Sequence, residues 1–214
     1  MLELTLIQKI AVGILPIVLA VTVHEAAHGY VANRLGDATA RMLGRLTLNP
    51  IKHIDPLGTI VVPLLMFIFT PFVFGWAKPV PVNARNLHRP RRDMFLVAVA
   101  GPVSNLVMAV IWALITLWAL HMAPAMVAEP LALMGQIGVF INIVLAVFNL
   151  LPLLPLDGGR MLAMVLPPRL AYQYEKTEPW GLPIVVLLLI TGVLSAVLVP
   201  VIAFFIDLFA VVMR

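Results

Sequence analysis

Apolar residues fill this chain in long runs, and polar ones collect in short stretches between them. From residue 6 to about 35 the sequence reads as one helix of roughly 30 residues, long enough at about 1.5 Å per residue to cross some 30 Å of hydrocarbon and protrude. Gly36 and Asp37 end it. Two more spanning candidates, about 95–120 and 131–151, are joined by 121–130, a loop without Lys or Arg and so expected on the non-cytoplasmic side. A last run, 182–213, is interrupted by Pro200 and reads as one kinked helix or as a helix plus a short second segment.

Between the first and second spans the period changes. Ala40, Met42, Leu46 and Leu48 alternate with Thr39, Arg41, Arg45 and Thr47, the two-residue rhythm of a half-buried strand or hairpin beside the membrane. Residues 57–74 are apolar but broken by Pro63 and Pro71, and the extended stretch Lys78-Pro-Val-Pro-Val-Asn83 follows. The fold class expected is a membrane all-α bundle with a small membrane-associated β element: about four spanning helices plus a re-entrant or interfacial segment. It forms one domain over 1–214, with its core at about 6–165 and a C-terminal helical segment at 182–213.

Composition sharpens this picture. The chain is 62% hydrophobic and 11% charged, too few charges to clothe a soluble domain, in which about a quarter of residues carry one. The first twenty residues lack a basic n-region and a small-x-small cleavage site and read as a retained helix. A net charge of +4 suggests nucleic acid at first sight, but the Lys and Arg flank apolar runs, where the positive-inside rule accounts for them, so no nucleic-acid partner is expected. With no cysteine, any metal must be held by His, Asp or Glu.

His24-Glu25-Ala26-Ala27-His28 is an HExxH motif on the first helix. The i, i+4 spacing sets both imidazoles on one face, where each can reach a single metal, zinc being the first candidate. Glu25 projects about 100° around the helix from His24, placed to take a proton from water activated by the metal rather than to bind it. Ionisable groups at mid-membrane cost roughly 2.5–3.5 kcal/mol apiece, so three within five residues call for a compensating partner. Two histidines leave zinc one protein ligand short. Asp157 is a candidate third: it follows a helix in Asn149-Leu-Leu-Pro-Leu-Leu-Pro-Leu-Asp157-Gly-Gly159, where prolines break the helix and glycines permit close backbone approach. Taken alone, it is equally a turn aspartate. His53, His88 and His121 sit in polar or loop contexts and read as solvated or interfacial.

HExxH on one membrane helix, with Asn-x-x-Pro-x-x-x-x-Asp-Gly-Gly at the end of a later one and Ala100-Gly-Pro-Val-Ser-Asn105 between, resembles the site-2 protease family of intramembrane metalloproteases, in a short form without regulatory domains. The resemblance covers about 10–165. It implies one zinc per chain on His24, His28 and Asp157, Glu25 as general base, and Asn149 as a contact for substrate or the developing oxyanion. Gly101, Pro102 and Asn105 are expected to serve packing. Membrane-anchored proteins would be the substrates and the lipid bilayer the surroundings, with the oligomeric state left open. The activity expected is hydrolysis of peptide bonds in or near transmembrane segments. A divalent-metal carrier or a silent helix-binding scaffold are the competing classes; neither has an evident need for Glu25.

Zinc can join His28 and Asp157 only if an even number of crossings separates their helices. The 57–74 run is therefore expected to be re-entrant or interfacial. Arg34, Arg41, Arg45 and Lys52 before that run and Lys78, Arg85, Arg89, Arg91 and Arg92 after it then share the cytoplasmic side with the site. The expected location is a bacterial or archaeal inner membrane.

Overall fold

A computed structural model describes residues 6–62, 64, 75 and 77–212. Eight α-helices order these residues: α1 (Leu6–Arg34), α2 (Thr39–Met42), α3 (Pro90–Met122), α4 (Ala125–Asn149), α5 (Asp157–Val165), α6 (Pro168–Glu175), α7 (Glu178–Ile190) and α8 (Val193–Val212). Four contain stretches long and apolar enough to cross a membrane: Val12–Arg34, Pro90–Met122, Ala125–Asn149 and Val193–Val211.

The bundle is built on α1, α3 and α4, with α8 against α4. Ala109, Trp112 and Ala113 of α3 meet Val139, Ile143 and Val147 of α4, and Val185, Leu194 and Leu198 close the core. Small residues make the α3–α4 approach possible: a Cβ on Gly138 would run into the Trp112 ring and one on Gly135 into Thr116. Such close contact drives helix association where both sides of the interface are equally apolar. Val103, Val107, Val110, Leu114 and Trp118 of α3 stay exposed at spacings of three and four, an apolar stripe suited to lipid.

The structure corrects three expectations. Among the described residues there is no strand, so the β element at 38–48 is absent. The alternation there comes from one helical turn, α2, closed by Gly44 at φ 62 with Arg45 N–H on Ala40 O. Ala40 is buried while Met42 and Leu48 are exposed, so the apolar set does not share a face. The 121–130 loop is helical but for Ala123 and Pro124, Pro130 lying inside α4. The C-terminal run breaks at Gly192 (φ 74), not at Pro200, which lies inside α8; glycine adopts the left-handed conformation that closes a helix.

Most of the 57–74 run lies outside the described residues, so its re-entrant course is not seen. Its flanks meet, however: Lys78 N–H donates to His53 O at 2.9 Å.

Candidate metal centre

α1 places His24 and His28 one turn apart with ring centroids 4.7 Å apart, edge to face. Past α4 the chain doubles back through 150–156 so that α5 starts on Asp157 beneath them. Gly158 and Gly159 pack where a Cβ would strike the backbone of Leu150 and Leu153, so this turn requires both glycines. The Asp157 carboxylate then faces both imidazoles: Oδ2 is 3.1 Å from His24 Nε2 and 3.3 Å from His28 Nε2, and the two Nε2 atoms are 3.1 Å apart. All three side chains are buried.

Hydrogen bonds at the far sides of the rings fix which nitrogen carries the proton. His28 Nδ1 lies 2.7 Å from Val97 O, a pure acceptor, and so donates. His24 Nδ1 lies 2.6 Å from Asn105 Oδ1. That amide is oriented in turn, since its Nδ2 donates to Ala20 O at 3.2 Å and to Asn142 Oδ1 at 2.9 Å, while Asn142 Nδ2 donates to Gly138 O at 2.8 Å. Both imidazoles, when neutral, therefore direct Nε2 lone pairs at each other and at a carboxylate oxygen that receives no hydrogen bond. Three converging acceptors without a proton repel; a cation among them removes the conflict. Ligands about 2.0–2.1 Å from a tetrahedral zinc stand roughly 3.3 Å apart, matching the observed 3.1–3.3 Å. The donor set fits zinc.

Gly101 of α3 forms the wall of this cluster. A Cβ there would stand 2.5 Å from His24 Cε1 and from His28 Nε2. Glu25 is half-buried next to the cluster and its Oε2 accepts the Val80 N–H at 2.8 Å. Asn149 is not drawn in: it ends α4, half-buried, and its amide donates to Leu145 O at 3.0 Å. His88 and His121 are exposed, whereas His53, expected to be solvated or interfacial, is buried with Nε2 2.9 Å from Thr47 O. Asn105 and Gly101, read from sequence as packing residues, contact the imidazoles directly. The signal was present, since each metal-bound imidazole needs an acceptor for its other nitrogen, but which residue supplies it is a matter of tertiary structure.

Comparison with known proteins agrees with this geometry. A Bacillus subtilis (strain 168) protein named "Putative zinc metalloprotease YwhC" is 42% identical over 190 residues, covering 87% of this chain and 84% of its own. The profile of "Peptidase family M50" matches residues 119–192, the part carrying Asn149 and Asp157. The chain belongs to peptidase family M50, the site-2 protease family. A second relative, "Putative zinc metalloprotease Rip2" of Mycolicibacterium smegmatis, is 32% identical over 177 residues, 83% of this chain and 66% of its own length. No solved structure matches the chain. Membership of M50 and four apolar helices of spanning length make it an integral membrane protein.

Proposed function

We propose that this chain is a zinc-dependent endopeptidase that cuts peptide bonds in or near transmembrane segments, with His24, His28 and Asp157 as zinc ligands and Glu25 as general base. The observation that carries the reading is the convergence of two Nε2 lone pairs and one buried carboxylate oxygen within 3.1–3.3 Å beside an uncoordinated glutamate. Zinc, when bound, supplies a Lewis acid that lowers the pKa of a water ligand toward about 7.

The chain's own residues do the rest. Val97 O and Asn105 orient the imidazoles. Glu25, one residue from a ligand but turned aside, receives the proton of the attacking water and returns it to the leaving amine. Asn149 is the proposed contact for the substrate carbonyl; its amide carries a second hydrogen besides the one donated to Leu145 O. A membrane helix hides its carbonyls in its own hydrogen bonds, so a substrate segment must locally unwind to be cut. The substrate class proposed is membrane-anchored protein, cut by a single domain holding one zinc. A site facing the cytoplasm from a bacterial or archaeal cell membrane is the location proposed, supported by the basic residues around α2, before α3 and from Arg160 to Lys176.

Purified protein in detergent, given a panel of membrane-anchored peptides, tests this. Chelator-sensitive cleavage, abolished in Glu25→Gln with zinc retained and in Asp157→Ala with zinc weakened, is the expected result. Bound zinc without Glu25-dependent cleavage of any peptide would point instead to a carrier or scaffold.

A further inference from the structure

The stretch from Lys78 to Asn83 lies against the C-terminal part of α1, next to Glu25, and is tied down at each end. At one end Lys78 N–H donates to His53 O at 2.9 Å and Arg45 Nη2 donates to Lys78 O at 2.8 Å. At the other, Asn83 N–H donates to Asp37 Oδ2 at 2.6 Å. Asp37 is fully buried just past the end of α1, and its Oδ1 also takes the Thr39 hydroxyl at 2.5 Å and the Asn86 amide at 3.0 Å. Between these anchors Val80 is buried against α1 where Gly29 leaves room, 3.0 Å from the position of a Cβ. Pro79 and Pro81 flank it. Neither carries an N–H, and each restricts its own φ and the backbone of the residue before it. Within Pro79-Val80-Pro81 there is thus a single donor, and it is spent on Glu25 Oε2 at 2.8 Å.

We propose that this strap is a positioning device: the Val80 backbone N–H fixes one carboxylate oxygen of Glu25 so that the other stays aimed at the reacting water, and Asp37 and Arg45 are positioning residues that hold the strap in place. The proposal rests on the reading of Glu25 as the base. A hydrogen bond to an ionised acceptor is about twice as strong as a neutral one, and an acid or base works only within hydrogen-bond reach of its proton. A flexible glutamate side chain held at one oxygen meets that condition without adding a ligand to the metal.

Two measurements on the full zinc-loaded chain in detergent test it. Amide hydrogen exchange read on overlapping peptides within 77–83 separates Val80 from Lys78, Val82 and Asn83, since Pro79 and Pro81 have no amide hydrogen. In Glu25→Ala the Val80 amide is expected to exchange at least about tenfold faster, with Lys78 and Asn83 unchanged. An unchanged Val80 rate overturns the proposal, and this arm is independent of any protease activity. The second arm compares Val80→Pro, which removes the N–H, with Val80→Ala, which keeps it, on a single-span peptide substrate. Val80→Pro is expected to lose at least about tenfold in kcat relative to Val80→Ala, a part of the ~10²–10⁴ that a positioned base contributes. KM should stay within about threefold and zinc content should be equal; Asp37→Ala should fall between the two. Equal kcat in the two Val80 variants, or a loss confined to KM, overturns it. If Val80→Pro fails to hold zinc, the exchange arm alone decides. If wild type cleaves nothing, the reading of Glu25 as base fails, while the exchange arm still reports whether the strap holds the carboxylate.

Discussion

Replacing Gly101 by alanine adds one methyl group to the wall of the metal centre, and the structure sets the consequences in opposite directions. Alanine favours the α3 helix by about 0.8–1 kcal/mol over glycine. The new Cβ, however, would stand 2.5 Å from both His24 Cε1 and His28 Nε2 and 2.6 Å from His24 Nε2. Non-bonded carbon contacts settle near 3.5–4.0 Å, so one or both rings must retreat by about 1 Å. Overpacking of that kind costs about 1–3 kcal/mol, partly offset by the helix gain, so the metal-free protein should melt within a few degrees of wild type. Zinc ligation tolerates only about ±0.2 Å. Displaced ligands should therefore cost at least the 10–100-fold in affinity typical of a lost supporting contact. Competition against a chromophoric chelator measures the affinity, and thermal melts of chelator-treated protein measure the fold. Wild-type zinc affinity in Gly101→Ala would refute the placement of Gly101 against the ligand nitrogens.

Further outcomes follow from the same geometry. Asn105→Leu removes the acceptor of His24 Nδ1–H and should weaken zinc about 10–100-fold, with Asn142→Leu smaller because it acts through Asn105; chelator competition ranks the two. Gly181→Ala would drive a methyl into Leu154 O and should lower the thermal midpoint, the backbone clash exceeding the ~1 kcal/mol helix gain. For Asp37, burial alone would raise the carboxyl, but the Thr39 hydroxyl, the Asn86 amide and the N–H groups of Asn83 and Thr39 hold it below its ordinary 3.8. A depressed folded pKa stabilises fully above the unfolded value and is lost as pH falls through the folded one. Asp37→Asn should therefore melt below wild type above about pH 4, with the gap closing under more acidic conditions; a gap that widens in acid would contradict the sign.

Where the information is local, the sequence alone carries it. His24 and His28 are legible because four residues make about one helical turn, and Asp157 because prolines and glycines mark the turn that delivers it. The helices of the core are legible from length and apolarity. The re-entrant course expected for 57–74 falls mostly outside the described residues. What failed was short or long-range. A four-residue helical turn ending in Gly44 leaves an alternation that a strand would also leave. Pro200 drew attention from Gly192, although a proline within a helix of spanning length can be accommodated and a left-handed glycine ends one. Asn105 and Val97 bond histidines 81 and 69 residues away, and no periodicity encodes such pairings. His53 is buried where Thr47 and Lys78 come to meet it, 6 and 25 residues away in sequence.

Proteoliposomes holding the zinc-loaded chain and a single-span substrate, with the products mapped by mass, test the central claim most directly. The account predicts a cut in or at the edge of the span, stopped by chelator and restored by zinc, and absent in Glu25→Gln that retains its metal. Cleavage that persists in Glu25→Gln, or that falls only in water-exposed loops far from the span, would contradict it.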